Sequence, residues 1–217
     1  MPLDPHSPLI YLITSGETTA QTTPATEAFA SILQLVRAAV AARIDLVQIR
    51  EKNLSASVLY QLAAHAAGIT NGTATKLLVN DRADIAAAAG ADGVHLTTFS
   101  LPTNVVRQTF GERFLIGVST HSLAEASRAR SAGADFVVFG PVFATSSKRE
   151  YGHAQGLSSL ADVCAELAPF PVLALGGVTI NNAADCLRAG ARGIAAIRMF
   201  LHADRLTGIA EEIRRSL

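Results

Sequence analysis

The chain has no excess of either charge: 18 Lys and Arg balance 18 Asp and Glu, for a formal net charge of 0. Proteins that hold nucleic acid or an anionic membrane through their overall field carry a basic surplus, so neither partner is expected. Cysteine is scarce, with only Cys164 and Cys186, and both fall in helix-patterned segments. Two such thiols build no disulfide framework and suit a reducing compartment. Neither has a histidine near it in sequence, so each is expected to pack as a small apolar residue rather than act as a nucleophile. Apolar runs are also short. None approaches the roughly 20 residues that cross a bilayer, and residues 1–8 lack a basic stretch leading into an apolar one. Neither a membrane span nor a signal peptide is expected, which leaves the cytoplasm.

What is abundant is apolar sequence, 49% of 217 residues, enough for one substantial core and a single domain over residues 1–217. Short β-forming runs alternate with segments of helical periodicity. Strands are expected at 9–13, 44–50, 76–79, 93–96, 114–118, 136–139, 171–175 and 193–197. Helices are expected between them, with Ser55 and Thr179 as caps and Pro102 in a first turn. Ala89-Gly-Ala-Asp92, Ala132-Gly-Ala-Asp135 and Ala189-Gly-Ala-Arg192 each stand just before a strand, where a left-handed glycine would end a helix. Alternating β and α elements imply a parallel sheet, and eight such units imply a (β/α)8 TIM barrel. A doubly wound open sheet shares the alternation; the count of units favours the barrel.

In a barrel the chemistry gathers where the strands end. The strand ends offer Gln48, Arg50 and Lys52, then Asn80 and Asp81, then Ser119 and His121, then Thr145, Ser147 and Lys148, then Gly176-Gly177, and last Ile197-Arg198. The sixth exit, Gly140-Pro-Val-Phe-Ala-Thr-Ser-Ser-Lys148, combines hydroxyls, a turn and a cation. That is the chemistry of an anion grip. Gly176-Gly177 would let backbone N–H groups approach a second phosphate. Two grips in one mouth suggest two phosphorylated groups.

Val47-Gln-Ile-Arg-Glu-Lys52, Val79-Asn-Asp-Arg82, Asp92-Gly-Val-His-Leu96, Gly117-Val-Ser-Thr-His121, the Gly140 to Lys148 stretch, Gln155-Gly156 and Leu175-Gly-Gly-Val178 resemble, in order, the motifs of the thiamine phosphate synthase family. The resemblance covers nearly the whole chain. It implies a transferase that joins an aminopyrimidine methyl diphosphate to a thiazole ethyl phosphate and releases pyrophosphate through a pyrimidine cation. By the same resemblance Gln48, Arg50, Lys52 and Asn80 hold the diphosphate, with Ser119 and Lys148 also touching it. Thr145 and Ser147 meet the thiazole phosphate, helped by the backbone at Gly176 and Gly177 and at Ile197 and Arg198. Asp81 is the implied Mg²⁺ ligand, and Lys148, Ser119 and His121 the implied catalytic groups.

Two positions depart from the family pattern. Ser100 stands where a second carboxylate ligand belongs, and a neutral hydroxyl is a poor substitute on a hard cation. Arg198 stands where serine is common. A related thiazole tautomerase, needing no metal and using a histidine at the place of His121 as acid and base, remains an alternative. So does a catalytically silent binder of thiamine precursors. The remaining polar residues have plain readings. His95 is expected in the core or behind the site, His153 and His202 in loops, and Arg82 with Asp84 in a helix-end ion pair.

Overall fold

The strands are buried on both faces, and their alternation divides one run of apolar residues between two cores. In β1 (Leu9–Ile13) all five residues are buried; Leu9, Tyr11 and Ile13 join a cluster inside the barrel, while Ile10 and Leu12 join a larger one beneath the helices. The computed structural model describes residues 7–144 and 154–215. Among these, eight parallel strands close in sequence order into a barrel. After β1 come β2 (Leu46–Ile49), β3 (Lys76–Asn80), β4 (Gly93–Leu96), β5 (Leu115–Thr120), β6 (Phe136–Phe139), β7 (Val172–Leu175) and β8 (Gly193–Ala196). The helices are α1 (Glu27–Ala41), α2 (Ala56–Thr70), α3 (Ala83–Ala88), α4 (Thr103–Phe110), α5 (Leu123–Ser131), α6 (Gly156–Leu167), α7 (Ile180–Arg188) and α8 (Leu206–Arg215). Pairing of Leu9 with Gly193 and Tyr11 with Ala195 closes the ring.

Most local signals act as the sequence implies, although Pro102, expected in the first turn of α4, stands one place earlier at its N-cap. Ser55 caps α2 by accepting from the Val58 N–H, and Thr179 with Asn182 forms a capping box at α7. Gly90, Gly133 and Gly190 all have positive φ and turn the chain from a helix into the next strand. Several strand boundaries differ from the expected ones by one or two residues, and one of them bears on the site. β5 runs two residues past the expected end because Ser119 and Thr120 still pair with Val138 and Phe139 of β6. Ser119 therefore projects from a rigid strand, not from a loop.

Inside the barrel Tyr11, His95 and Phe136 form a ring cluster, with centroids 5.7 Å apart for Tyr11 with each partner and 6.2 Å for His95 with Phe136. The Gln48 Nε2 donates to the Tyr11 hydroxyl at 2.8 Å. Burial pushes the Tyr11 phenol far above its ordinary pKa, so it remains a neutral hydrogen-bonding group. This layer floors the mouth. At the amino ends of the strands the charges are paired: Lys76 with Asp92, Arg107 with Asp135, and Arg214 with Asp45. No ion pair among the described residues includes Arg50 or Lys52 at the opposite end.

Candidate active site

The exits of β2 and β3 meet first. Gln48 is buried on its strand, Arg50 is half-buried just beyond it, and Lys52 is exposed. Burial lowers the Lys52 pKa, the Arg50 charge lowers it further, and the Asp81 charge opposes both. The two cations and the carboxylate thus share one field. Asn80 ends β3, and Asp81 follows with φ 65, its N–H donating to the His95 carbonyl at 2.8 Å. That turn leaves Arg82, not Asp81, at the N-cap of α3, and Arg82 makes the expected exposed ion pair with Asp84. A cavity of about 300 Å³ opens here, bounded by Lys52, Asn80, Asp81, Arg82, Thr97 and Phe99 among others.

At the β4 exit the Ser100 hydroxyl accepts from the Thr97 N–H at 2.8 Å and lies 3.2 Å from the Thr97 hydroxyl. It closes its own turn. Phe99, 91% exposed, stands at the rim. No group of three or more acidic, histidine or cysteine side chains that could hold a metal occurs among the described residues. Mg²⁺ is commonly held by one or two carboxylates together with substrate phosphates and water. Asp81 therefore fits as the protein's ligand to an ion that arrives with a diphosphate, and Ser100 adds no charge to that set.

Across the mouth, the Ser119 hydroxyl lies 2.9 Å from the Nε2 of buried His95, which places His95 directly behind a site residue. The His121 N–H donates to Glu125 at 2.7 Å, and its Nδ1 contacts the Gly140 carbonyl. A carbonyl only accepts, so Nδ1 is the donor in this contact.

The stretch from Gly140 is fixed by β7. Val142 and Phe143 N–H groups donate to the Leu175 and Gly176 carbonyls at 2.8 and 2.9 Å. Gly176 and Gly177 have φ +94 and +65, and a Cβ added at Gly176 would lie 2.5 Å from Pro141. A demand beyond open access for a phosphate thus acts on this pair: the sixth exit crosses directly over it. The Gln155 and Gly156 N–H groups bond back to the Pro141 and Val142 carbonyls at 2.8 and 3.0 Å, so residues 144 and 154 leave and return at one place. Thr145, Ser147 and Lys148, with His153, lie outside the described residues. Ile197 packs against the interior cluster, and exposed Arg198 begins a 3₁₀ turn at the end of β8.

One functional neighbour has no signal in the sequence. Glu51 reads as part of a charged exit, yet it is only 3% exposed and bonded throughout to the segment after β1. Glu51 and the polar segment after β1 are partners.

A closed parallel barrel whose strand ends assemble cations, amides, hydroxyls and glycine backbone at one mouth is the class of TIM-barrel enzymes that act on phosphorylated small molecules. The family model described as thiamine monophosphate synthase matches residues 10–200, and the chain belongs to that family. Relatives include a putative thiamine-phosphate synthase of Geobacter sulfurreducens, 45% identical over 76% of this chain and 78% of its own. A thiamine-phosphate synthase of Methanoculleus marisnigri is 41% identical over 83% of this chain and 85% of its own. Among solved structures, thiamine phosphate pyrophosphorylase from Pyrococcus furiosus superposes with TM-score 0.77 at 29% identity, covering 96% of this chain and 98% of that one.

Proposed function

We infer that the protein is a thiamine phosphate synthase, a transferase joining an aminopyrimidine methyl diphosphate to a thiazole ethyl phosphate. The observation that carries this reading is the convergence of the family's motifs on one mouth, with Arg50 and Lys52 outside every ion pair described. In the reaction the bond between the pyrimidine methylene carbon and the diphosphate oxygen breaks, and its electron pair leaves with pyrophosphate. The thiazole nitrogen then donates its lone pair to the resulting cation, forming the C–N bond. No strong base is required; charge on the leaving group must be stabilised.

Arg50, Lys52 and Asn80 line the diphosphate side, and Gln48, held by Tyr11, presents its amide to the pyrimidine diphosphate. Lys148 and Ser119 are assigned to the departing group as well. Thr145, Ser147 and the backbone at Gly176, Gly177, Ile197 and Arg198 take the thiazole phosphate. A Mg²⁺ held by Asp81 and diphosphate oxygens would add positive charge at the leaving group. We place the enzyme in the cytoplasm. The free, buried Cys164 and Cys186, whose thiols burial pushes up to about 11 and about 12, suit a reducing compartment. No helix among the described residues is long and apolar enough to cross a membrane.

The direct test is pyrophosphate release by the purified protein given both precursors, with Mg²⁺ and with EDTA. Release that needs both substrates and metal is the expected result. Absence of release in either condition would shift the reading to thiazole tautomerisation, with His121 as acid and base.

Two further outcomes test the site. Ser100→Asp should lower the Mg²⁺ concentration giving half-maximal rate by about tenfold, because a second carboxylate replaces a neutral hydroxyl; an unchanged titration would place the metal elsewhere. Lys52 loses its proton at a lower pH than an ordinary lysine, so the cation is present below its pKa and lost as pH rises through it. The KM for the diphosphate should therefore rise on the alkaline side before the ordinary lysine range. Lys52→Arg should remove that limb from the pH profile of kcat/KM, and its persistence would assign the limb to another group.

A further inference from the structure

We propose that Glu51 is a positioning residue for the diphosphate site: its buried carboxylate latches the segment 14–18 across the end of β2 and so confines Arg50. The proposal rests on the assignment of Arg50 to the diphosphate.

One carboxylate oxygen of Glu51 accepts from the Thr14 hydroxyl at 2.6 Å and from the Gly16 N–H at 3.1 Å. The other accepts from the Thr18 hydroxyl at 2.7 Å and from the Thr18 N–H at 3.3 Å. Asn53 adds a fifth tie through its Nδ2 to the Thr18 carbonyl at 2.9 Å. A carboxylate removed from water is costly unless its acceptor sites are filled, and here donors from one short segment fill them. The segment pulled down in this way then acts on Arg50. The Thr14 hydroxyl that donates to Glu51 also accepts the Arg50 N–H at 2.8 Å. At Gly16, φ +79, an added Cβ would lie 2.9 Å from the Arg50 Nη1 and 3.0 Å from its carbonyl. Gly16 therefore forms a wall against the guanidinium, and only a residue without a side chain fits there.

The placement also settles a problem of charge. Glu51 lies between Arg50 and Lys52 in sequence, and an ion pair with either would compete with an anionic substrate. No ion pair among the described residues includes Glu51. Its charge is answered by hydroxyls and backbone, and both cations are left to a ligand. A glutamine at this position would present an NH₂ to donors and lose half of the latch.

The test is a double-mutant cycle with KM measured for each substrate. Glu51→Gln should raise the KM for the pyrimidine diphosphate about tenfold and leave that for the thiazole phosphate within about twofold. In an Arg50→Ala background the same change should add less than about twofold, because the latch acts through Arg50. Effects that multiply, or equal rises in both KM values, would overturn the proposal. If Arg50→Ala alone leaves the diphosphate KM unchanged, the assignment of Arg50 fails, and the latch loses its role with it. Thr18→Val removes one hydroxyl donor at nearly constant shape and should give a smaller rise in the same KM. Insoluble Glu51→Gln together with an unaffected Thr18→Val would assign Glu51 to folding alone, against the proposal.

Discussion

Lys148→Ala is expected to lower kcat by about 100- to 1,000-fold while the KM for the thiazole phosphate stays within about threefold. The asymmetry follows from the chemistry. Ionisation gathers negative charge on pyrophosphate, so a cation there contributes more in the transition state than in the bound ground state. Lys148 lies four residues beyond Ala144, a reach of at most ~14 Å of extended chain. Both ends of its loop are tied to the same point: Val142 and Phe143 to β7, and Gln155 and Gly156 to Pro141 and Val142. Single-turnover release of pyrophosphate measures the step, and an undiminished rate would remove Lys148 from the mechanism.

The second large effect is expected at the anchor of that loop. Gly176→Val should destabilise the protein by about 3 kcal/mol, from overpacking together with a β-branched residue forced to positive φ. At this chain length that corresponds to a fall in Tm of about 6–12 °C. The new Cβ would lie 2.5 Å from Pro141, and Pro141 opens the segment leading to Lys148. Turnover should therefore fall in the folded fraction as well, in the direction of Lys148→Ala. Thermal unfolding with activity normalised to folded protein checks both; a variant with native Tm and kcat would show that the passage of the segment after β6 over Gly176 is not constrained.

These expectations draw unequally on what could be read in advance. The barrel was legible because each strand is a short apolar run with a polar exit, and because Gly90, Gly133 and Gly190 mark where helices give way to strands. The gathering of Arg50, Lys52, Asn80, Asp81, Ser119 and His121 followed from topology, since all strand ends face one way. What could not be read were contacts between segments distant in sequence. The Thr14 to Thr18 segment carries only the composition of a loop, and nothing at Glu51 distinguishes a buried acceptor from a solvated charge; their partnership depends on β1 lying beside β2. His95 behind Ser119 depends in the same way on the pairing of β4 with β5. The end of β5 was missed because Ser119 and Thr120 are strand residues by virtue of their partners in β6, not by propensity.

The unequal pairing of charge at the two ends of the barrel has a consequence for how molecules arrive. With a formal net charge of 0 the protein attracts no ion from afar as a point charge would. Yet acids and bases are matched in ion pairs at the amino ends of the strands, while at the other end Arg50 and Lys52 join no ion pair among the described residues and share their field with Asp81. Polyanions passing within a Debye length of the entrance meet these two cations, and the capture rate should depend on ionic strength even though the protein as a whole is neutral.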